Sequence, residues 1–163
     1  MASPGSGPTP QGRSPGPETV SGTILGFDFG EKRVGIAVGE TITRIASPLG
    51  AIEEAATGAR FEAIEKYVKE WAPVALVVGR PRHSDGSEHA VAKLAEKFAR
   101  RLAARYRLPV VFVDETLSSA TAEAQLRDTR TRATKKTDID ALAATIILQS
   151  YLDSPNDHEP LAA

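Results

Sequence analysis

The chain contains no cysteine, which removes disulfides, thiolate nucleophiles, zinc ribbons and iron–sulfur ligation from consideration. Any metal it holds must therefore sit on oxygen or imidazole. Aromatic residues make up only 6% of the sequence and do not interleave with its basic runs, so a set of base-stacking platforms is not expected. No stretch approaches the roughly 18 consecutive apolar residues of a membrane helix, and the start lacks a basic segment followed by an apolar one. A dominant charge is also missing. With 20 Lys and Arg against 21 Asp and Glu, the formal net charge is −1, and the total balance announces no polyanionic partner. These absences read as a cytoplasmic protein without membrane contact. At 163 residues the chain has the length of one domain and is too short for a two-lobed enzyme.

What is present divides into a body and two ends. Residues 1–20 are rich in Pro, Gly and Ser and carry almost nothing that could offset the entropy of ordering, so a disordered tail is expected there. Residues 154–163 are polar and punctuated by Pro, and read as a flexible C-terminal tail. The body, residues 21–153, opens with two short β-rich runs, Ile24 to Phe29 and Val34 to Val38, around Gly30-Glu31-Lys32-Arg33, which is a hairpin signal. Ile42 to Ile52 reads as a third strand, with Pro48 placing it at an edge or near its end. Helical spacing of Phe61, Ile64, Val68 and Trp71 predicts a helix from Gly58 to Trp71, ended by Pro73. Val74 to Val78 and Val110 to Val113 read as buried strands, separated by a helix from about Glu88 to Arg105. A short helix is expected around Ser119 to Arg127, then a solvated loop from Thr129 to Thr137. Last comes a helix from Ile139 to Leu152 that is apolar nearly all round and so packed deep in the fold. Three strands followed by alternating α and β predict an α/β fold with a mixed five-stranded sheet. An antiparallel meander leads into parallel strands, with helices on both faces, in the order of the ribonuclease H-like fold.

Three acidic residues stand out. Asp28 lies in an otherwise apolar strand, where an ionised carboxylate is costly unless something pairs with it. Glu115 falls just past an apolar strand, where ligand crevices of α/β sheets open. Asp140 is expected in the first turn of the buried last helix. If that helix starts at the strand ends, three carboxylates converge with no fixed basic partner, and such a cluster suits Mg²⁺ or Mn²⁺. Two such ions can activate water and stabilise the leaving oxygen in phosphodiester cleavage. Each residue also has a local explanation. Asp28 could cap the Gly30 turn, Asp114 and Glu115 could both favour a helix N-terminus, and Asp140 is three residues after Thr137, close to a capping box. Side chains alternate along a strand, so Asp114 and Glu115 face opposite ways. Asp138 and Asp140 lie about 200° apart around a helix, which makes Asp138 a helix-start residue instead of a partner in the site.

The stretch FDFGEKRVGIAVGE resembles the D-x-G-x-K-x-x-G-x-A opening of the pre-16S rRNA nuclease family, also described as Holliday-junction-resolvase-like (YqgF or RuvX) and related to RuvC resolvases. VVGRPRHSDGSE, VDETLSSATAEAQL and DIDALAATIILQSYLD resemble three further motifs of that family, in the same order, and together they cover nearly the whole body. The resemblance implies a ribonuclease H-like fold and metal-dependent nucleic-acid hydrolysis, with Asp28, Glu115 and Asp140 at the family's acidic positions. It further implies processing of the 5′ end of precursor 16S rRNA, so structured RNA, free or on the assembling ribosome, is the expected partner. RuvC-type resolvases carry a D-x-x-D pair on the last helix, whereas Asp138 and Asp140 are two apart, which weakens the case for Holliday-junction DNA as substrate. An actin-like ATPase fragment would use a similar Asp-Gly turn but needs a second lobe. A catalytically quiet RNA-binding assembly factor is the other alternative.

The near-zero net charge hides a division along the chain. Lys93, Lys97, Arg100, Arg101, Arg105 and Arg107 crowd one helix, and Arg127, Arg130, Arg132, Lys135 and Lys136 crowd the loop before Asp140. From these, Lys97, Arg100, Arg101, Arg130, Arg132, Lys135 and Lys136, with Arg82, are the candidate nucleic-acid contacts, acting through phosphate with little sequence choice. Arg80 follows a strand end and could help cradle phosphate, and Lys32 in the hairpin turn beside Asp28 could neutralise developing charge. His83 and His89 are near that loop but carry no assignment. Nothing in the sequence marks a dimer face, so monomer and dimer both stay open.

Overall fold

The computed structural model describes residues 21–54, 56–80, 86–114, 136–155 and 159–160, with the side chains of 86–89, 136 and 159 left out. The expected tail at residues 1–20, the helix at 119–127, and residues 129–135 of the expected loop lie outside that range. The elements in chain order are β1 (Thr23–Asp28), β2 (Val34–Glu40), β3 (Ile45–Ile52), α1 (Thr57–Trp71), β4 (Ala75–Arg80), α2 (Gly86–Tyr106), β5 (Val110–Asp114), α3 (Lys136–Asp153) and β6 (Glu159–Pro160). The single sheet has the order β3-β2-β1-β4-β5-β6. β1, β2 and β3 form the antiparallel meander, and β1, β4 and β5 run parallel. The expected mixed sheet and its helical layers are therefore present.

Period-2 alternation sorts the strand residues onto two faces. Leu25, Phe27, Ile36, Leu76, Val78 and Phe112 point to one face and pack with Phe61 and Ile64 of α1 and with Phe98, Ala99 and Leu102 of α2. Ile24, Ala37, Val77, Val111 and Val113 point to the other, against Ala144, Ile147, Leu148 and Tyr151 of α3. One helix covers what two cover on the opposite face, which explains why α3 has no broad polar side.

Three features differ from the sequence expectation. The third strand starts at Ile45, because Thr41–Arg44 form a turn in which Arg44 takes a left-handed φ of 59° and Ile42 is 81% exposed. Pro48 lies opposite Ala37 beside a register shift in this edge strand, where its missing N–H costs nothing to a neighbour. The last helix begins at Lys136, three residues before Ile139, so Asp140 lies in its second turn and Asp138 takes the first. The sheet also has a sixth strand, not five in all. Glu159 and Pro160, in the segment expected as a tail, pair antiparallel with Phe112 and Val111 at the outer edge, a position proline tolerates.

The seating of α3 depends on small residues in the sheet. A Cβ at Gly35 would stand 2.0 Å from the carbonyl oxygen of Asp140, and one at Gly26 would stand 2.8 Å from Cβ of Leu148. The helix backbone thus lies against strand backbone, closer than any side chain permits. We expect Gly35→Ala to destabilise the fold by roughly 3 kcal/mol, at the upper end of the overpacking range, since its clash is with a helix carbonyl that cannot rotate away. Gly58→Ala, where an added Cβ meets nothing within 4 Å, should instead be neutral or mildly stabilising. Urea denaturation of the two variants checks the contrast.

Candidate functional site

Asp28 ends β1 and pairs across the ladder with Gly35 of β2. Cross-strand partners project to the same face, so the half-buried Asp28 carboxylate points to the α3 side, where the absent side chain of Gly35 leaves room for Asp140. Asp28 and Asp140, distant in sequence, are brought to one corner by a single glycine. On the other flank Asp28 aligns with Gly79 of β4, and Gly79 with Val113 of β5. Here a second glycine on the same face keeps the parallel strand ends open beside the carboxylate.

The corner contains a cation that the sequence reading missed. Arg33 Nε donates to Asp140 Oδ2 at 2.5 Å, with both side chains mostly buried. The expectation of carboxylates without a fixed basic partner is thus corrected. Arg33 precedes β2 with the same parity as Gly35, Ala37 and Gly39, which places it on the α3 face. That alternation was visible in the sequence, but the helix covering that face was not. Lys32, the neighbour singled out as accessory, is exposed in the turn. Asp140 Oδ1 has no partner among the described residues and remains available as a hard oxygen donor.

Asp114 projects to the opposite face. Arg80 Nη2 lies 3.6 Å from Asp114 Oδ1, its Nη1 lies 3.5 Å from Glu96 Oε2, and its guanidinium sits 4.5 Å from the Phe112 ring centroid. Arg80, expected to help cradle phosphate, ties β4 to β5 and α2 on the face away from Asp140. Glu115, the third acidic candidate, lies outside the described residues, as do Arg82, Arg130, Arg132 and Lys135 and the side chain of Lys136. Lys97, Arg100 and Arg101 stand exposed on α2, whose other side buries Ala95, Phe98, Ala99 and Leu102. No group of three or more potential metal ligands occurs among the described residues, which supply Asp28 and Asp140 alone at this corner.

A second arginine fixes the turn that carries Arg33. Arg60 of α1, 6% exposed, donates from Nη2 to the Glu31 carbonyl and from Nε to the Glu54 carbonyl, both at 2.8 Å, and lies 5.6 Å from the Phe29 ring centroid. Burial pulls its guanidinium below the usual arginine range.

A family model described as RuvX, Holliday junction resolvase, matches residues 22–154. The chain belongs to the RuvX family. It is 52% identical over 136 residues to a protein of Dechloromonas aromatica, covering 83% of this chain and 93% of that one. It is 50% identical over 133 residues to one of Methylobacillus flagellatus, covering 81% and 91%. Both relatives bear the name "Putative pre-16S rRNA nuclease". Among solved structures, Thermus thermophilus RuvC in complex with a Holliday junction substrate superposes with a TM-score of 0.57 at 16% identity, covering 85% of this chain and 99% of that one. Fowlpox virus resolvase in complex with Holliday junction DNA gives 0.51 at 14% identity, covering 82% and 98%. These two share the fold, a ribonuclease H-like sheet with its helical layers. As a RuvX member the chain belongs with nucleases, hydrolases acting on ester bonds.

Arg33 and Asp140 should be energetically coupled. Removing either alone costs about 1 kcal/mol, the upper end for a partly exposed pair, and the Arg33→Ala, Asp140→Asn double variant should cost less than the sum of the two. Chemical denaturation of the four proteins in the cycle measures the coupling.

Proposed function

We propose that this protein hydrolyses phosphodiester bonds of structured RNA in the cytoplasm, trimming the 5′ end of precursor 16S rRNA, with a divalent cation, Mg²⁺ or Mn²⁺, held by Asp28, Asp140 and Glu115. The observation that carries the reading is the convergence of Asp28 and Asp140 across Gly35, at the open C-terminal ends of the parallel strands. Two carboxylates on one corner are hard oxygen donors of the kind these cations select, and the cysteine-free chain offers no thiolate alternative. Glu115, two residues after Val113 in the sequence, is the third carboxylate assigned to the set by this reading. When bound, the cation supplies an activated water and stabilises charge on the leaving oxygen.

The chain's own residues do the rest. Arg33 fixes the Asp140 carboxylate through Oδ2 and leaves Oδ1 without a partner among the described residues. Lys32, exposed in the same turn, offers a positive charge to a phosphate at the site. Lys97, Arg100 and Arg101 on α2, with Arg82, Arg130, Arg132, Lys135 and Lys136, attract the strand through its phosphates, so binding should weaken steeply with salt and read little sequence. The names of the relatives favour precursor rRNA, and the two-residue spacing of Asp138 and Asp140 speaks against the paired helix carboxylates of junction resolvases.

The test is cleavage of end-labelled precursor rRNA fragments and, separately, of a four-way DNA junction, by wild type and Asp28→Asn, with Mg²⁺, Mn²⁺ or EDTA. We expect metal-dependent cleavage of the RNA, with Asp28→Asn slowing it by at least roughly 10²-fold while RNA still shifts on a gel. Cleavage of the junction alone would reassign the substrate. Salt-sensitive RNA binding with no cleavage of either substrate would overturn the enzyme reading in favour of an assembly factor.

A further inference from the structure

Behind the corner just described, on the other face of the sheet, a cleft of about 210 Å³ opens between the start of α1 and the middle of α2. We propose that this cleft is a separate anion site that takes a single phosphate group, bound by Arg60, Lys97, Arg101 and the first backbone amides of α1.

Two independent features define it. The first is a buried and uncompensated charge. Arg60 lines the cleft, is 6% exposed, and spends its two hydrogen bonds on the neutral carbonyls of Glu54 and Glu31. A guanidinium has five N–H donors, and no carboxylate among the described residues answers this one. Burying a cation without a counter-charge is costly, and a bound anion removes that cost. Lys97 and Arg101 line the same cleft, and among the described residues no carboxylate does.

The second feature is the bare N-terminus of α1, a helix of 15 residues. Its N-cap is Ala56, which makes no side-chain hydrogen bond, and the first turn holds no acidic residue. The first intrahelical bond is from Arg60 N to Ala56 O at 2.9 Å, so the amides of Thr57, Gly58 and Ala59 have no acceptor within the helix. Thr57 lines the cleft, and the space beyond Gly58 is open to 4 Å. Amides with no acceptor in their own helix, at the positive end of its dipole and in a cleft lined by Arg60, Lys97 and Arg101, favour an anion.

The size and the walls select the kind of anion. Small-molecule pockets run to about 300–1,000 Å³, so this cleft suits a group more than a whole ligand. Its aromatic floor is already occupied. Phe29 and Phe61 each pack on Phe98, at centroid distances of 5.1 and 5.7 Å, while Arg60 and Arg105 lie over Phe29 and Phe61. Recognition therefore goes through charge and hydrogen bonding, not base stacking. Phe29 directly follows Asp28, so a strand phosphate in the cleft would hold a nucleic acid across the edge at which Asp28 stands. That use of the site rests on the nuclease reading, whereas the site itself does not. Arg60 also grips the turn that carries Arg33, so an anion here bears on the same turn from behind.

The experiment is a ¹H–¹⁵N NMR titration of the full chain, following the Arg60 Nε–H and the amides of residues 57–59, with inorganic phosphate, 5′-AMP and a short single-stranded RNA. Two variants are compared: Lys97→Gln/Arg101→Gln, which changes only exposed side chains, and Thr57→Asp, which supplies the helix with its own anion. We expect saturable shifts in wild type at roughly millimolar phosphate or tighter, weakened at least about tenfold in the double variant. In Thr57→Asp they should be abolished, while its Tm stays the same or rises. Tighter RNA binding than phosphate binding at these signals identifies a strand phosphate, and equal binding identifies a free phosphate or mononucleotide. The absence of saturable shifts at Arg60, or equal affinity in wild type and both variants, would overturn the proposal. Asp28→Asn should leave the titration intact, so the loss of cleavage and the loss of this site can be told apart.

Discussion

The contact on which the rest of this structure depends is the backbone approach of α3 to the sheet. A helix that met the sheet through ordinary side chains would stand farther off, and the Asp140 carboxylate would move away with it. Gly35 removes that layer at the point where Asp28 stands opposite on the neighbouring strand, and Gly26 and Gly39 continue the close approach along the helix, against Leu148 and Leu152. The same packing that buries Ile147, Leu148 and Tyr151 therefore sets the geometry of the acidic corner. Stability and chemistry share one interface here, so the cost of a bulky substitution would fall on both.

The sheet separates two kinds of charge by alternation. Asp28 and Phe29 are neighbours in sequence and project to opposite faces, one toward the carboxylate corner and the other toward the cationic cleft. Asp114 follows the second pattern and is taken up by Arg80, which α2 also engages through Glu96. The cleft of Arg60, Lys97 and Arg101 thus lies on the α1–α2 side and the Asp28–Asp140 corner on the α3 side, with the turn of residues 30–33 linking them. Arg33 leaves that turn toward Asp140, and Arg60 grips it from the opposite face through the Glu31 carbonyl.

Element order among the described residues, and Asp28 and Asp140 as residues to watch, were legible in the sequence because they rest on local signals: apolar alternation, helical spacing and charged residues interrupting apolar runs. Pro48 likewise announced an edge. What escaped was set by packing between distant segments. Nothing near Arg33 in sequence names Asp140 as its partner, since that contact requires α3 to lie on β2. Arg80 read as a loop arginine because its two acids come from α2 and β5. The start of α3 was placed late because Lys136 and Thr137 carry no apolar periodicity, and β6 was missed because two residues hold no pattern at all.

Arg33 changes what the acidic corner asks of its surroundings. Two carboxylates brought to one corner repel each other. A guanidinium bound to Asp140 through a single oxygen offsets part of that repulsion while leaving the other oxygen in place, so the corner can keep its shape before any metal or phosphate arrives. Such preorganisation matters because Gly79 and Val113, which flank the corner on the parallel strands, have small or apolar side chains that cannot orient a carboxylate. The arginine in the hairpin turn supplies the orientation that the sheet's own neighbours do not.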